Sequence, residues 1–282
     1  MLTVRSLLAE APAGESRREA EILLGYVLDR DRAWLAAHDT DPLPREQAAR
    51  FRALWARRLA GEPVAYLTGR RGFWTLDLSV NADVLIPRPE TELLVETALA
   101  RIPGDAAWDL ADLGTGSGAI ALALARERPA CRVLATDRSA EALAVARANA
   151  RRHGIGNVDF REGDWWAPLE GLRLDLIVSN PPYVPAADPH LSRGDVRFEP
   201  RGALASGPEG LDDLRTIIAG APAHLHPGGT LLLEHGYDQG AAVRALLRAA
   251  GFTDVRTWRD LNGHERVSEG DTVASGKSQV AR

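Results

Sequence analysis

From residue 88 onward the chain alternates helix-like and strand-like segments, and that alternation constrains its fold more than any other feature. The order runs helix ETELLVETALARI, strand AWDLADLG, helix GAIALALARER, strand CRVLATD, helix SAEALAVARANARRHG, strand VDFREGD and strand LRLDLIVSN. Helix LDDLRTIIAGAPAHL, strand TLLLEHG and helix GAAVRALLRAAG complete it. Strands alternating with helices over this length predict an α/β fold, a doubly wound, mostly parallel, Rossmann-like sheet covered by helices on both faces. Such sheets bind ligands beyond the carboxyl ends of their strands, where the strand order reverses. Chemistry is therefore to be sought at the strand ends.

The first 70 or so residues follow a different pattern. SRREAEILLGYVL and PREQAARFRALWARRLAG place Ile22, Leu23, Tyr26, Val27 and Phe51, Leu54, Trp55, Leu59 on apolar stripes at helical spacing, with Gly61 set to end the second helix. A small helical bundle is expected over 1–72. GFWTLDLSVNADVLIP then alternates like strands around a turn at Asn81, Ala82 and Asp83, which predicts a β-hairpin linker over 73–87 and an α/β domain over 88–282. The last residues, GDTVASGKSQVAR, lose periodicity and are expected to fray.

Charge and composition narrow the function. Hydrophobic residues make up 45% of the 282 and charged residues 26%, which excludes disorder over most of the length. Residues 1–75 carry a net charge of +2 and the remainder −7, giving −5 in all. A larger acidic domain beside a weakly basic small one argues against tight non-specific binding of duplex nucleic acid, which depends on neutralising many phosphates. Lys277 is the only lysine, and Arg45, Arg50, Arg52, Arg57 and Arg58 fall in one helix, where a solvated face is expected. The single cysteine, Cys131, excludes an internal disulfide and reads as a small core residue. No run reaches the ~18 apolar residues of a membrane span, and the opening residues lack a signal-peptide pattern, so a cytoplasmic protein is expected.

Four strand ends carry the candidate chemistry. The first runs into Gly114-Thr115-Gly116-Ser117-Gly118, whose glycines permit a sharp turn and bring bare backbone up to a ligand. Its spacing also fits a dinucleotide fingerprint, with Ala119 in the last place. The second ends in Asp137, 23 residues after Gly114, a carboxylate able to accept from both ribose hydroxyls of an adenosine-containing cofactor. The third ends in Asp164-Trp165-Trp166, where a carboxylate can take an adenine amino group and an indole can pack on the base. Adjacent residues of an extended chain face opposite ways, so one tryptophan alone can serve. The fourth runs into Asn180-Pro181-Pro182-Tyr183. There the Asn180 oxygen and the Pro181 carbonyl can hold both hydrogens of an NH2 group, and Tyr183 offers a flat face for a planar amide or base.

Together DLGTGSGAIAL, the Asp137 strand end and NPPY resemble class I S-adenosylmethionine-dependent methyltransferases acting on a planar amino nitrogen. With IPRPETE at 86–92, GDVRFEP at 194–200, LLLEHG at 231–236 and HERV at 264–267, the chain resembles the release factor glutamine methyltransferase family. NPPY alone is shared with DNA adenine methyltransferases. The resemblance implies a methyltransferase sheet, with S-adenosylmethionine held by Gly114, Thr115, Gly116, Ser117, Gly118, Asp137, Asp164, Trp165 and Asn180. It further implies that Asn180, Pro181, Pro182 and Tyr183 bind the glutamine of the Gly-Gly-Gln loop of class I peptide chain release factors, with Asn180, Pro181 and Tyr183 catalytic. The implied reaction is N5-methylation of that glutamine, in support of translation termination. The N-terminal bundle would dock the release factor, and Phe73 and Pro87 to Glu90 would lie near the cofactor and pocket entrance, although helix capping explains Glu90 and Thr91 almost as well.

Other chemistries find little in the sequence. No two of the seven histidines share a helix face with an acid at metal-ligand spacing, so no metal is expected, and no G-x-S-x-G elbow is present. A nicotinamide-dependent oxidoreductase would use the glycine-rich loop but has no use for NPPY.

Overall fold

The computed structural model describes residues 2–11 and 14–274, and these form two compact units. One comprises residues 1–70 together with Gly194–Phe198, the other Arg71–Arg193 with Glu199–Arg282. No helix among the described residues is long and apolar enough to cross a membrane.

The first unit holds helices α1 (Val4–Leu8), α2 (Glu15–Leu28), α3 (Arg32–Ala37), α4 (Arg45–Leu59) and α5 (Val64–Thr68). Thr3 and Ser6 form a reciprocal capping box at α1, and Asp31 caps α3 through the Trp34 N–H. Leu7, Leu23, Leu24, Leu35, Phe51 and Trp55 form its core. Three residues of the expected stripes are not in it: Ile22, Tyr26 and Leu59 are exposed, because the apolar face is narrower than the periodicity suggests. The arginines of α4 are less free than a solvated face implies. Arg52 pairs with Glu10, Arg57 with Glu62, and Arg50 lies over the Tyr26 ring at 5.6 Å. Arg58, the most enclosed, bridges Glu19 at 2.7 Å and Asp195 at 2.8 Å, and Arg197 donates to the Ala60 carbonyl, which ties Gly194–Phe198 to the bundle.

The hairpin β1 (Arg70–Phe73) and β2 (Leu76–Ser79) follows, and all of it but Arg70 belongs to the second unit. Its turn is Trp74–Thr75, not Asn81–Asp83 as expected. Trp74 adopts a positive φ of 55° because its backbone N–H is captured by Glu92 and its indole N–H by Glu127, partners invisible to local sequence. Asn81 to Val84 form a separate turn closed by Val84 N–H to Asn81 O.

The main sheet contains β3 (Asp109–Leu113), β4 (Arg132–Asp137), β5 (Val158–Glu162), β6 (Leu174–Ser179), β7 (Leu225–Glu234), β8 (Thr253–Arg259) and β9 (Glu265–Asp271). Their order is β5-β4-β3-β6-β7-β9-β8, parallel through β7 and antiparallel at β9 and β8. Alternation along the strands sorts the core. Leu110, Val133, Ala135, Leu176 and Val178 pack under α6 (Glu92–Arg101), α7 (Ala119–Glu127), α8 (Ala140–His153) and the hairpin. Ala111, Leu113, Leu134, Ile177, Leu231 and Leu233 pack on the other face, under α9 (Asp212–His224) and α10 (Gly240–Ala249). Cys131 is buried in the first of these clusters.

Three boundaries differ from expectation. Strands β8 and β9 have no counterpart in the sequence reading, and β7 begins at Leu225, five residues before the apolar run TLLLE, through a His-Pro-Gly-Gly stretch that reads as a turn. Gly270 and Asp271 are not frayed but end β9, paired with Leu231 and Thr230. The tail expectation for 275–282, Lys277 included, lies outside the described residues.

Candidate active site

Parallel register brings the strand ends level. Leu113 pairs with Thr136 on one side and Ser179 on the other, so Gly114, Asp137 and Asn180 leave the sheet side by side. Ser179 Oγ donates to the Leu113 carbonyl at 2.7 Å and locks that edge. Because β4 and β6 flank β3, this is the point where the strand order reverses, and a cavity of about 240 Å³ opens there. Its walls include Gly114, Gly116, Asp137, Asp164, Trp165 and Asn180.

The glycine-rich loop is held from beneath. Asp112, fully buried, accepts from the Thr115 hydroxyl at 2.6 Å and from the Ala121 N–H at 3.1 Å. Burial pushes this carboxyl up to about 7 against the pull of those two hydrogen bonds, with the Asp137 charge pushing the same way as burial. Asn149, also fully buried, donates to the Ser117 and Ser79 carbonyls and accepts from the Ser79 N–H, pinning the loop to β2. Gly118 stands at φ +84° with Leu122 and Ala146 so close that a Cβ would come within 3.2 Å of both. A Cβ on Gly116, by contrast, would meet nothing within 4 Å. Bare backbone therefore faces the cavity.

Asp137 accepts from the Gly116 N–H at 2.9 Å through Oδ2 and from the Ser139 N–H at 3.0 Å through Oδ1. Ser139, not Asp137, caps α8. Each Asp137 oxygen keeps one lone pair for a ligand. The two tryptophans part, but through a turn and not through an extended chain: Trp165 stands at φ +37° and Trp166 in the right-handed helical region. The Trp165 ring lies against Gly114 and lines the cavity, whereas Trp166 stacks on His224 at 4.5 Å and donates to the Thr216 carbonyl. Asp164 is exposed on the cavity wall.

The Asn180 amide donates from Nδ2 to Thr91 Oγ1 at 3.2 Å, which leaves Oδ1 as its acceptor end. Among the described residues neither Oδ1 nor the carbonyl of buried Pro181 accepts a hydrogen bond from the protein. Pro182 lines the cavity beside Asn180. The Tyr183 ring packs against the second core cluster, and its hydroxyl donates to Glu234 Oε1 at 3.3 Å. Burial, then the charge of Glu234, pushes that phenol well above its ordinary range.

Several residues of the site escaped the sequence reading. Thr91 makes no helix cap; it meets Asn180 instead. Glu234 follows Leu233, the partner of Ser179, and so lies level with Asn180. A carboxylate closing the apolar run TLLLE at a strand end was the available signal. Glu199, buried, accepts from Arg88 and from the Ile86 N–H at 3.2 Å and fixes the 86–88 segment. Phe73 is packed into the first core cluster and does not line the cavity, unlike the position that the family resemblance implied for it. His235 is buried between the Gly236 carbonyl and Ser268 Oγ, and no cluster able to hold a metal occurs among the described residues.

Comparison with known proteins identifies the family. Residues 3–69 match the PrmC N-terminal domain and residues 89–193 the methyltransferase small domain. The release factor glutamine methyltransferase of Xylella fastidiosa is 58% identical over 265 residues, covering 94% of this chain and 96% of its own. That of Pseudomonas aeruginosa is 54% identical over 273 residues, covering 96% and 99%. A solved methyltransferase from Pyrococcus furiosus, 20% identical, shares the fold with a TM-score of 0.53 over 77% of this chain and 97% of that one. At such identity over nearly the full length of both sequences, the chain belongs to the release factor glutamine methyltransferase family.

Proposed function

We propose that this protein transfers a methyl group from S-adenosylmethionine to the side-chain amide nitrogen of the glutamine in the Gly-Gly-Gln motif of class I peptide chain release factors. The observation that carries the reading is Asn180 Oδ1, on a residue of the cavity wall and without a protein donor among the described residues, with the likewise unpartnered carbonyl of Pro181 next to it in the chain. Two acceptors suit an NH2 group, and a primary amide supplies one. The acidic catalytic part favours a protein substrate over nucleic acid. In the first unit, Ile22 and Tyr26, one turn apart on α2, are exposed and offer apolar contacts for docking a release factor. Translation termination places the reaction in the cytoplasm.

The cavity fits the cofactor. Gly114 and Gly116 present bare backbone, Asp137 keeps a lone pair on each oxygen for a ribose diol, and Trp165 supplies an indole face for adenine. The Asp137 carboxylate would repel a ribose phosphate. When bound, S-adenosylmethionine supplies an electrophilic methyl group on a sulfonium centre.

An amide nitrogen is a poor nucleophile because its lone pair is delocalised into the carbonyl. Asn180 Oδ1 and the Pro181 carbonyl, by accepting both N–H bonds, orient the nitrogen and favour its pyramidal form, an interaction that strengthens toward the transition state. Positioning does most of the work. A strong base is unnecessary, since the methylated amide is acidic and gives its proton to solvent.

The test is transfer of labelled methyl to a purified release factor, to the same factor with alanine in place of the Gly-Gly-Gln glutamine, and to adenine-containing DNA and RNA. Label on the unaltered factor alone is expected. Label on nucleic acid, or on the altered factor equally, would overturn the reading.

A further inference from the structure

We infer that Gln239 is a positioning residue for the Asn-Pro-Pro-Tyr turn: its side-chain amide holds the Tyr183 carbonyl and so fixes where Asn180 Oδ1 and the Pro181 carbonyl stand. This deepens the glutamine reading above and rests on it. Gln239 is 9% exposed, in the turn between β7 and α10. Its Nε2 donates to the Tyr183 carbonyl at 3.0 Å and, less closely, to the carbonyls of Glu209 and Gly210, both at 3.3 Å. Its Oε1 accepts from the Gly236 N–H at 2.8 Å. One amide thus joins three stretches of chain: the Asn-Pro-Pro-Tyr turn, the turn before α9 and its own.

The turn has little else to hold it. Pro181 and Pro182 have no N–H to give, and among the described residues neither they nor Tyr183 make a backbone–backbone hydrogen bond. Main-chain pairing resumes only at Val184, whose N–H donates to the Leu204 carbonyl and whose own carbonyl accepts from Ser206. Between β6 and Val184 the turn hangs on side chains. Asn180 Nδ2 reaches Thr91 at 3.2 Å and the Tyr183 hydroxyl reaches Glu234 at 3.3 Å. The Gln239 bond to the Tyr183 carbonyl is the shortest of the three, and it alone grips the main chain. Gly210 makes room for it: at φ +72° it brings bare backbone against the Tyr183 carbonyl, where a Cβ would collide with the oxygen.

The position calls for a carboxamide. One end must accept from the Gly236 N–H while the other donates to carbonyls, and a carboxylate of the same shape does only the first. In Gln239→Glu a negative oxygen would face the Tyr183, Glu209 and Gly210 carbonyls and push the first of them away. The Pro181 carbonyl, two residues earlier, would move with it. The cofactor cradle hangs instead on Asp112, Asn149 and Asp137. Displacing the turn should therefore cost methyl transfer and spare cofactor binding, since a misplacement of about 1 Å can cost about 10²-fold in rate.

The experiment compares the full-length wild type with Gln239→Glu, which keeps shape and acceptor, and Gln239→Met, which keeps bulk alone. Hydrogen exchange is followed at the Val184 and Ser206 N–H groups, and kcat, KM for a release factor and S-adenosylmethionine affinity are measured on the same samples. Both variants should exchange about 10-fold faster or more at Val184 and Ser206, while the β3 amides keep their wild-type rates. In both, kcat should fall about 10- to 100-fold, with KM within about threefold and S-adenosylmethionine affinity within about twofold. Wild-type exchange at Val184 and Ser206 overturns the inference, as does faster exchange spread evenly over the sheet. A lowered melting temperature with unchanged kcat overturns it too, being the mark of a residue that serves stability alone. The exchange measurement needs no release factor. Failure of the wild type to methylate one would therefore remove the substrate reading, while exchange would still decide whether Gln239 holds the turn.

Discussion

The two sides of the cavity are built on opposite principles. On the glycine-rich side the loop is tied down by buried side chains: Asp112 Oδ2 holds Thr115 and Ala121, Asn149 holds Ser117, and Asp137 holds Gly116 and Ser139, with Asp112 Oδ1 alone buried without a partner there among the described residues. At the Asn-Pro-Pro-Tyr turn the acceptors Asn180 Oδ1 and Pro181 O have no donor among the described residues. The first side is a cradle whose shape is fixed before any ligand arrives; the second is unmet hydrogen-bonding capacity that a ligand must complete. A cofactor common to every turnover suits the former, and a group that must be gripped only as it reacts suits the latter.

The sharpest way to break this comparison is to remove the open acceptor. Asn180→Ala should lower kcat by about 10²- to 10³-fold, the range seen when one pre-placed polar group that stabilises a transition state is lost. Its cofactor affinity, measured by calorimetry, should stay within about twofold. Near-normal turnover would reject the role of the amide.

The buried carboxyls should reveal themselves next, in the pH dependence of stability. Asp112 and Glu234 are both pushed up to about 7 in the folded chain, whereas in the unfolded chain they titrate near 4. Between those values the folded state binds more protons, so their contribution to stability is present at low pH and is lost as pH rises to about 7. A loss of roughly 4 kcal/mol per group is expected, with no further change from them above neutrality. Urea unfolding of the wild type and Glu234→Gln across this window measures it. A variant whose stability falls with pH as steeply as the wild type would exclude Glu234 as a source.

On the cradle side, Asp137→Ala should weaken cofactor binding by about 10- to 100-fold, the value of hydrogen bonds to a charged group, and destabilise the loop by leaving the Gly116 and Ser139 N–H groups without their acceptor. The opposite profile from Asn180→Ala, affinity lost before turnover at saturation, would sharpen the contrast. Gly118→Ala should cost about 1–2 kcal/mol by thermal unfolding, from its positive φ and the close approach of Leu122 and Ala146. Wild-type stability there would mean that the loop tolerates rearrangement.

What could be read from the sequence followed from where a residue's meaning resides. Alternating strands and helices, the glycine-rich turn, Asp137 and Asn180 are local signals, and parallel pairing converts each strand end into a position on one edge. The antiparallel strands β8 and β9 were missed because β8, TDVRTWR, lies at the sheet edge with every residue at least partly exposed, so it lacks an apolar run. The hairpin turn was misplaced because Trp74 is held by Glu92 and Glu127, 18 and 53 residues away. Thr91 and Glu234 have the same character. Each looks like an ordinary helix-start or strand-end residue until tertiary register sets it beside Asn180.

The bundle's use of Gly194–Phe198 bears on how this chain can be recombined. Because Arg58 shares its charge between Glu19 and Asp195, and Arg197 reaches the Ala60 carbonyl, the module that a domain exchange would have to move is discontinuous. A chimera that takes residues 1–70 from a relative but keeps its own 194–198 joins two halves of one small domain selected in different backgrounds. The natural cassette is two pieces of gene, and the shorter codes for five residues.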